Sequence, residues 1–262
     1  MTTPTVVAHR GFAGQNPENT VAAVRAAAES GVDAVEIDVQ PTADGEVVVF
    51  HDRRLDGRGE SRGITDGEGV VWKQSTDVVT TARVLGTEER VPLLETALAA
   101  VPDHVTVNVE LKNPGSDAVR PGQALNSEER ERAKQRWLPF VESVCRVVDQ
   151  FQNDVVYSSF YEGALATAAE QAPDASVAVL VAPECVDAGV TVARRYDVDG
   201  VNVPVSTLSE DGSERLVATA ADVDAPLYCW TVCDWQDARR ALDCGADGII
   251  ADYANLDTFV RT

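Results

Sequence analysis

Long apolar segments are missing from this sequence. No run of apolar residues reaches the length of about 18 that a membrane-spanning helix requires. The first residues, from Met1 to Thr5, do not form a basic region followed by an apolar one, so the sequence predicts no signal peptide. We therefore expect a protein without stable membrane association.

Cysteine and lysine are both scarce. The five cysteines are odd in number and lack the paired spacing of metal ligands; they are Cys145, Cys185, Cys229, Cys233 and Cys244. Buried or reduced thiols explain such usage best, and they predict a cytoplasmic location. Lysine occurs three times against nineteen arginines.

Basic residues as a whole are too few to balance the acidic ones, and the formal net charge is -21. The average field of such a chain repels phosphate polyanions, so we expect no nucleic acid and no anionic membrane as a partner. Strong acidity with almost no lysine also suggests a halophilic protein, adapted to high salt. The alternative is an acidic mesophilic protein.

The sequence does contain a regular alternation of strand and helix patterns. Strands are predicted at 5–8, 34–39, 105–111, 155–158, 176–181, 200–203, 227–232 and 248–251, with an extra strand at 46–50. Helices are predicted at 21–30, 93–101, 126–150, 162–171, 185–196, 213–222, 235–244 and 254–260, with Ser127 as an N-cap. Eight such units and one extra hairpin predict an α/β fold, a closed TIM (β/α)8 barrel, as one domain over 1–262.

Residues from about 53 to 91 interrupt this alternation. They are polar and rich in glycine, and they show no long hydrophobic periodicity. We interpret them as a small inserted loop segment after the second strand, without a core of its own.

Two acidic residues share one face of the second predicted strand. Glu36 and Asp38 lie two residues apart in Val35-Glu36-Ile37-Asp38-Val39, so their side chains point the same way. Two carboxylates on an otherwise apolar strand repel each other, and a bound cation would stabilise them.

The third strand repeats this pattern. Glu110 and Lys112 share a face there, and Glu110 can stand beside Glu36 and Asp38 because neighbouring strands lie about 4.8 Å apart. Three carboxylates suit one hard divalent cation, Mg²⁺ or Ca²⁺. A lysine in a chain that otherwise uses arginine suggests a point charge for phosphate; the alternative is a surface ion pair with Glu110.

Two of the three histidines also follow strands beside the acidic residues. His9 ends the first strand and His51 ends the extra strand. In a parallel barrel such strand ends converge on the rim where active sites lie. Paired imidazoles can take a proton from a nucleophile and return one to a leaving alkoxide. Arg10 could bind a phosphate oxygen or pair with the acids.

These motifs together resemble the glycerophosphodiester phosphodiesterase family. The resemblance spans nearly the whole chain; it is carried by His9-Arg10-Gly11, Pro17-Glu18-Asn19-Thr20, Glu36-x-Asp38, His51-Asp52, Glu110-x-Lys112, Ser158-Ser159-Phe160, Trp230-Thr231-Val232 and the stretch from Gly245 to Asp252. It implies a barrel with a small insertion, and a small-molecule glycerophosphodiester as substrate.

The resemblance also implies roles for the site residues. Glu36, Asp38 and Glu110 would hold the divalent metal, and His9 and His51 would form the acid–base pair. Arg10 and Lys112 would contact phosphate, and Trp230 would line the pocket for the glycerol or alcohol group. We interpret Asn19 and Asp52 as residues that orient helix one and a neighbouring histidine or metal-bound water; a helix cap and a turn residue are their alternatives.

The sequence thus predicts a metal-dependent enzyme that hydrolyses glycerophosphodiesters to glycerol phosphate and an alcohol. We favour His9 as the group that activates the nucleophile and His51 as the proton donor, although the reverse assignment stays open. The nucleophile is water or a hydroxyl of the substrate. The alternatives are a lysophospholipase D-like or cyclising phosphodiesterase, a non-catalytic phosphate- or metal-binding barrel, and a different divalent-metal barrel enzyme such as an aldolase.

The composition generates one prediction of its own. If the excess of acidic residues is an adaptation to salt, activity and melting temperature should both rise as KCl is increased toward molar concentrations, because added cations screen the repulsion among the carboxylates. Thermal melts and initial rates in a KCl series measure both quantities. Loss of activity at high KCl would contradict the halophilic hypothesis.

Overall fold

The computed structural model describes residues 4–209 and 211–256. Nine strands form one sheet in the order β1-β9-β8-β7-β6-β5-β4-β2-β3, and β1 also pairs with β2, which closes eight parallel strands into a barrel. The strands are β1 Thr5–Ala8, β2 Ala34–Pro41, β3 Val47–Val49, β4 Thr106–Leu111, β5 Val155–Ser159, β6 Ser176–Leu180, β7 Gly200–Pro204, β8 Leu227–Val232 and β9 Gly248–Ala251. Strand β3 lies outside the barrel and pairs antiparallel with β2.

Helices lie between the barrel strands, as the TIM-barrel prediction requires, and that prediction is confirmed. The helices are α1 Val21–Glu29, α2 Thr76–Thr81, α3 Leu94–Leu98, α4 Ser127–Val148, α5 Glu162–Gln171, α6 Val186–Tyr196, α7 Asp211–Asp222 and α8 Trp235–Asp243. No helix in the described part of the chain combines the length and the apolar character that crossing a bilayer demands.

The main core lies between the strands and this ring of helices. Alternating valines of the strands are buried there, among them Val35 and Val107, because every second side chain of a barrel strand faces the helices. The longest helix, α4, contributes Trp137, whose ring lies 5.3 Å from that of Tyr161. The five cysteines are free.

Helix α4 begins differently from our prediction. Its N-cap is Asn126, and the prediction of Ser127 is wrong by one residue. The Asn126 side chain accepts a hydrogen bond from the backbone N–H of Glu129 at 3.0 Å, and the Glu129 carboxylate accepts one from the backbone N–H of Asn126 at 3.0 Å. This reciprocal capping box satisfies two free N–H groups, which a cap at Ser127 would not do. The predicted helix at 254–260 lies mostly outside the described residues.

The inserted segment has a small core, so our expectation of a segment without one is wrong. Eight buried residues form this second cluster: Val48, Phe50, Leu55, Val71, Val79, Ala82, Val84 and Val91. Two of them come from the β2–β3 hairpin and the others are spaced irregularly along the insertion. Burial of these side chains fixes the insertion against the hairpin that ends at His51.

Candidate active site

Three acidic side chains meet inside the barrel, two from β2 and one from β4. These strands pair in parallel with Asp38 opposite Glu110 and Glu36 opposite Asn108. One oxygen atom from each of Glu36, Asp38 and Glu110 lies within 4.8 Å of the other two. All three residues are buried. The structure therefore brings together the three carboxylates that we predicted as metal ligands.

Two cations partly compensate the acidic cluster. Arg10 Nε lies 3.0 Å from Asp38 Oδ2, and Lys112 Nζ lies 2.6 Å from Glu110 Oε1 and 3.2 Å from Asp38 Oδ1. Burial tends to raise the pKa of Asp38, but Lys112 and Arg10 hold it well below its ordinary value. Arg10 thus makes the contact with the acids that we considered as the alternative to phosphate binding.

Glu36 is the least compensated of the three acids. Burial, and then the charges of Asp38 and Glu110, raise the pKa of Glu36 well above its ordinary value. Glu36 Oε2 accepts the backbone N–H of Arg10 at 2.9 Å, whereas Oε1 is buried without a hydrogen-bond partner among residues 4–209 and 211–256. An orphaned carboxylate oxygen beside two further carboxylates is the donor set of a hard cation such as Mg²⁺ or Ca²⁺. The residues present fit a divalent metal.

The turn after β1 aims backbone groups at this cluster. Arg10, Gly11 and Phe12 all have positive φ angles, of 51°, 74° and 63°. A Cβ atom on Gly11 would lie 2.6 Å from the carbonyl carbon of Ala23, so the turn requires glycine. Strain of this kind is typical of functional sites. It places the Arg10 N–H on Glu36 and the Arg10 side chain on Asp38.

Both predicted catalytic histidines are held by carboxylates. His9 Nδ1 lies 2.6 Å from Asp252 Oδ1, and His51 Nδ1 lies 2.8 Å from Asp52 Oδ1. Burial works against both carboxylates, yet the pKa of each is lowered, by His9 for Asp252 and by His51 and Arg62 for Asp52. An ionised carboxylate only accepts hydrogen bonds, so each Nδ1 donates and each Nε2 remains for chemistry.

The surroundings of His51 favour its neutral form. Burial, followed by the charge of Lys112, lowers the pKa of His51 to about 4. The lowered pKa makes the neutral imidazole the dominant form of His51 near pH 7, with a lone pair on Nε2.

Both histidines and two of the three acids line one cavity of about 250 Å³, here called the inner pocket. Its lining includes His9, Arg10, Glu36, His51, Glu110, Lys112, Phe160 and Trp230. The rings of Phe160 and Trp230 meet edge to face with 5.5 Å between centroids. Trp230 Nε1 is buried and lacks a hydrogen-bond partner in the described part of the chain, so it can donate to a bound oxygen.

The residues that we predicted to orient others have direct contacts with the site. Asn19 is buried, and its side chain donates to Asp38 Oδ2 at 2.8 Å and accepts from the Asp38 backbone N–H at 3.2 Å. The N-cap of α1 is Thr20, so Asn19 serves Asp38 rather than the helix end. Asp52 accepts from His51 and from Arg62.

Sequence reasoning missed Arg62. This arginine of the insertion donates to both oxygens of Glu18 at 2.7 Å and to Asp52 at 2.9 Å. Glu18 in turn accepts a hydrogen bond from Arg10 at 3.0 Å. Arg62 therefore links Asp52, which holds His51, to Glu18, which holds Arg10 beside Asp38. No periodicity in the insertion marks this residue, and it lies 44 positions from Glu18.

Sequence reasoning also gave no role to Asp252, although it follows the last barrel strand. The sequence did contain a signal for such a role, because Asp252 and His9 each follow a barrel strand and such positions converge on one rim. Asp252 belongs to the site because it fixes the ring of His9.

The sequence matches the model of a known protein family and is similar to individual bacterial proteins. The model of the Glycerophosphoryl diester phosphodiesterase family matches residues 9–256. The uncharacterized protein YqiK of Bacillus subtilis is 30% identical over 95% of this chain and 94% of its own length. A glycerophosphodiester phosphodiesterase of Bacillus altitudinis is 27% identical over 98% of this chain and 97% of its own length.

The fold is shared with solved structures. A phosphodiesterase of Oleispira antarctica, in complex with the product sn-glycerol-3-phosphate, superposes with a TM-score of 0.79 and 24% identity. The match covers 99% of this chain and 98% of the other. The two proteins therefore share the barrel fold.

The position of Arg62 generates a prediction. Arg62→Gln should lower kcat about 10- to 100-fold with a smaller change in KM, because Asp52 and Glu18 lose the group that orients them. Steady-state kinetics and circular dichroism measure activity and folding. Arg83→Gln is the matched control, since Arg83 belongs to the same insertion and pairs with Glu88, which is 86% exposed. An unchanged kcat in correctly folded Arg62→Gln would contradict the positioning role.

Proposed function

The chain belongs to the glycerophosphoryl diester phosphodiesterase family, and from this premise we propose that it hydrolyses glycerophosphodiesters to glycerol phosphate and an alcohol with the help of a divalent cation. The observation that carries the proposal is the inner pocket. Two of the three clustered carboxylates, Glu36 and Glu110, line it together with two carboxylate-held imidazoles and two cationic side chains, and an oxygen of Asp38 lies within 4.8 Å of both acids. Each part has a use in breaking a phosphodiester.

Glu36, Asp38 and Glu110 would hold the cation. A divalent ion at this position supplies positive charge for the phosphoryl oxygens on which negative charge builds. A bound cation would neutralise much of the negative charge of the three carboxylates. Arg10 and Lys112 could then also attract the substrate phosphate. Trp230 would pack against the glycerol part and offer its Nε1 proton to a hydroxyl.

His51 and His9 would divide the proton transfers between them. His51 is assigned the acceptor role because burial and Lys112 lower its pKa to about 4, so that its ring is neutral near pH 7 and has no extra proton to donate at the start of the reaction. This favours the reverse of the assignment that we preferred from the sequence. His51 would take the proton of the nucleophile, and His9 would donate one to the leaving oxygen while Asp252 stabilises the ring orientation.

The reaction balances without a further reactant. In the direct route, the oxygen of water forms a bond with phosphorus while the bond from phosphorus to the alcohol oxygen breaks. In the alternative route, a hydroxyl of the substrate forms that bond first, and water displaces this hydroxyl from phosphorus in a second step. The nucleophile's proton goes to His51, and the alcohol leaves with a proton from His9. The net change is the addition of one water molecule to the diester.

An assay of glycerol phosphate release tests this function. Several glycerophosphodiesters are incubated with the protein, with EDTA, and with EDTA followed by excess Mg²⁺ or Ca²⁺. We expect release of glycerol phosphate, loss of the activity with chelator, and recovery with one of the two ions. Glu36→Gln should lower kcat/KM by at least about 100-fold, because metal affinity and charge stabilisation fall together.

Other outcomes would favour the alternatives. Choline release from lysophosphatidylcholine that is faster than from glycerophosphocholine would make the protein lysophospholipase D-like. Binding of phosphate and metal without turnover of any diester would indicate a non-catalytic barrel. Activity that survives chelation and also Glu36→Gln would contradict the metal site.

Substrates with different leaving groups test which histidine is the general acid and which is the general base. His9→Ala and His51→Ala should each lower kcat on an alkyl diester about 10²- to 10⁴-fold, as loss of a general acid or base does. With a p-nitrophenyl ester of glycerol phosphate, whose leaving oxygen needs no proton, His9→Ala should regain at least about tenfold and His51→Ala should not. Initial rates on the two substrates give both ratios.

His104→Ala serves as the control, because His104 is exposed and lies outside the inner pocket. Recovery of His51→Ala in place of His9→Ala would show that the two roles are exchanged. Near-normal rates for both variants on the alkyl diester would contradict acid–base catalysis by this pair.

A further inference from the structure

We propose that this protein acts on glycerophosphodiesters that carry a second anionic group, such as a terminal phosphate monoester, and that this group binds in a cleft outside the inner pocket. The inference rests on the proposed function. The outer cleft is a cavity of about 860 Å³ that shares His51 and Lys112 with the inner pocket. A substrate can therefore extend from one into the other.

The lining of the outer cleft is cationic although the chain is strongly acidic. Five basic residues and three acidic residues line it; they are Arg53, Arg54, Arg58, Lys112 and Arg120 against Asp52, Glu60 and Asp117. The chain as a whole has a formal net charge of -21. Once the ion pairs are subtracted, Arg58 and Arg120 remain against Glu60 among the described residues, and even this small local excess of positive charge favours anions in a chain that is otherwise strongly acidic.

Two of these arginines have no acidic partner in the part of the chain that the structure describes. Arg53 pairs with Asp117, Arg54 pairs with Asp56, and Lys112 pairs with the buried acids. Within residues 4–209 and 211–256, neither Arg58 nor Arg120 forms an ion pair with an acidic side chain. Arg120 Nη1 donates only to the backbone carbonyls of Asp117 and Val119, at 2.8 Å each.

These two arginines come from two different segments of the cleft lining. Arg58 lies in the insertion, and Arg120 lies in the loop that follows β4. An ion pair between Arg53 and Asp117 links the two segments. Asn113 Oδ1 accepts the N–H groups of Gly115 and Ser116 at 2.8 and 2.7 Å, which shapes the loop before Arg120. The loop before Arg120 is thus held by its own hydrogen bonds, and the guanidinium groups of Arg58 and Arg120 keep their capacity for a bidentate contact with an anion.

The other common substituents leave the two arginines without a partner. A quaternary ammonium group would face the positive charge of Arg58 and Arg120, and of the aromatic rings in the lining, Trp72 is already covered by Arg53 at 5.4 Å from its centroid, which leaves Tyr161. An acyl chain could contact Trp72, Val119, Pro121 and Tyr161, but it would offer no partner to the two guanidinium groups. The planar guanidinium binds phosphate oxygens in a fork, and two of them suit a phosphate monoester.

The test compares three substrates at one fixed ionic strength, since salt weakens such contacts. They are glycerophosphocholine, glycerophosphoglycerol, and glycerophosphoglycerol with a terminal phosphate. We expect kcat/KM of the wild type to be at least about tenfold higher for the phosphorylated substrate than for the other two. The double variant Arg58→Gln/Arg120→Gln should remove at least about tenfold of this preference, mainly through KM, and leave the other two rates within about twofold.

Two control variants separate local contacts from general charge. Arg25→Gln removes the same charge from an exposed side chain of α1 outside the cleft, and it should keep the preference. Arg58→Lys/Arg120→Lys keeps the charge without the fork and should lose part of the preference. Equal kcat/KM for all three substrates, or an equal loss on all three in the glutamine variant, would overturn the inference. If no glycerophosphodiester is cleaved at all, the proposed function fails instead.

Discussion

Three buried carboxylates within 4.8 Å of one another are the constraint on which the rest of the site depends. Burial of like charges is costly unless opposite charge and hydrogen bonds compensate it. The chain provides Arg10 from the turn after β1, Lys112 from the end of β4, and the Asn19 amide before α1. These groups come from three separate segments, and all three are directed at Asp38. Glu36 Oε1 has no hydrogen-bond partner within the part of the chain that the structure describes, and a cation could supply the compensation that is missing there.

A series of ion pairs, in which acidic and basic side chains alternate, extends outward from this cluster. Asp38 pairs with Arg10, Arg10 with Glu18, Glu18 with Arg62, and Arg62 with Asp52, which holds His51. The series begins at a metal-ligand candidate and ends at a histidine candidate, and it passes through the insertion. Because the insertion has its own buried core, it can hold Arg62 in place. The insertion is therefore part of the support of the site.

The barrel and the inner residues could be predicted because they follow periodic patterns. Glu36, Asp38 and Glu110 occupy every-second positions on strands whose ends must converge in a parallel barrel. Arg62 and the second core could not be predicted, since residues such as Leu55, Val71 and Val79 follow neither a helical nor a strand period. Their burial depends on contacts between distant segments. The start of α4 differed by one residue because Asn126 and Ser127 are both good caps, and only the Glu129 contact decides between them.

The distribution of charge answers a difficulty that the net charge of -21 raises for an enzyme of anionic substrates. The repulsion from exposed carboxylates acts over distances at which salt screens it, with a Debye length of about 10 Å at 0.1 M ionic strength. Arg10 and Lys112 lie inside a pocket from which much of the solvent is excluded, so salt screens their attraction for a phosphate less. Added salt would therefore weaken the opposing long-range field more than the local attraction. An acidic exterior is therefore compatible with phosphate binding by buried cationic side chains, because the two fields act at different distances.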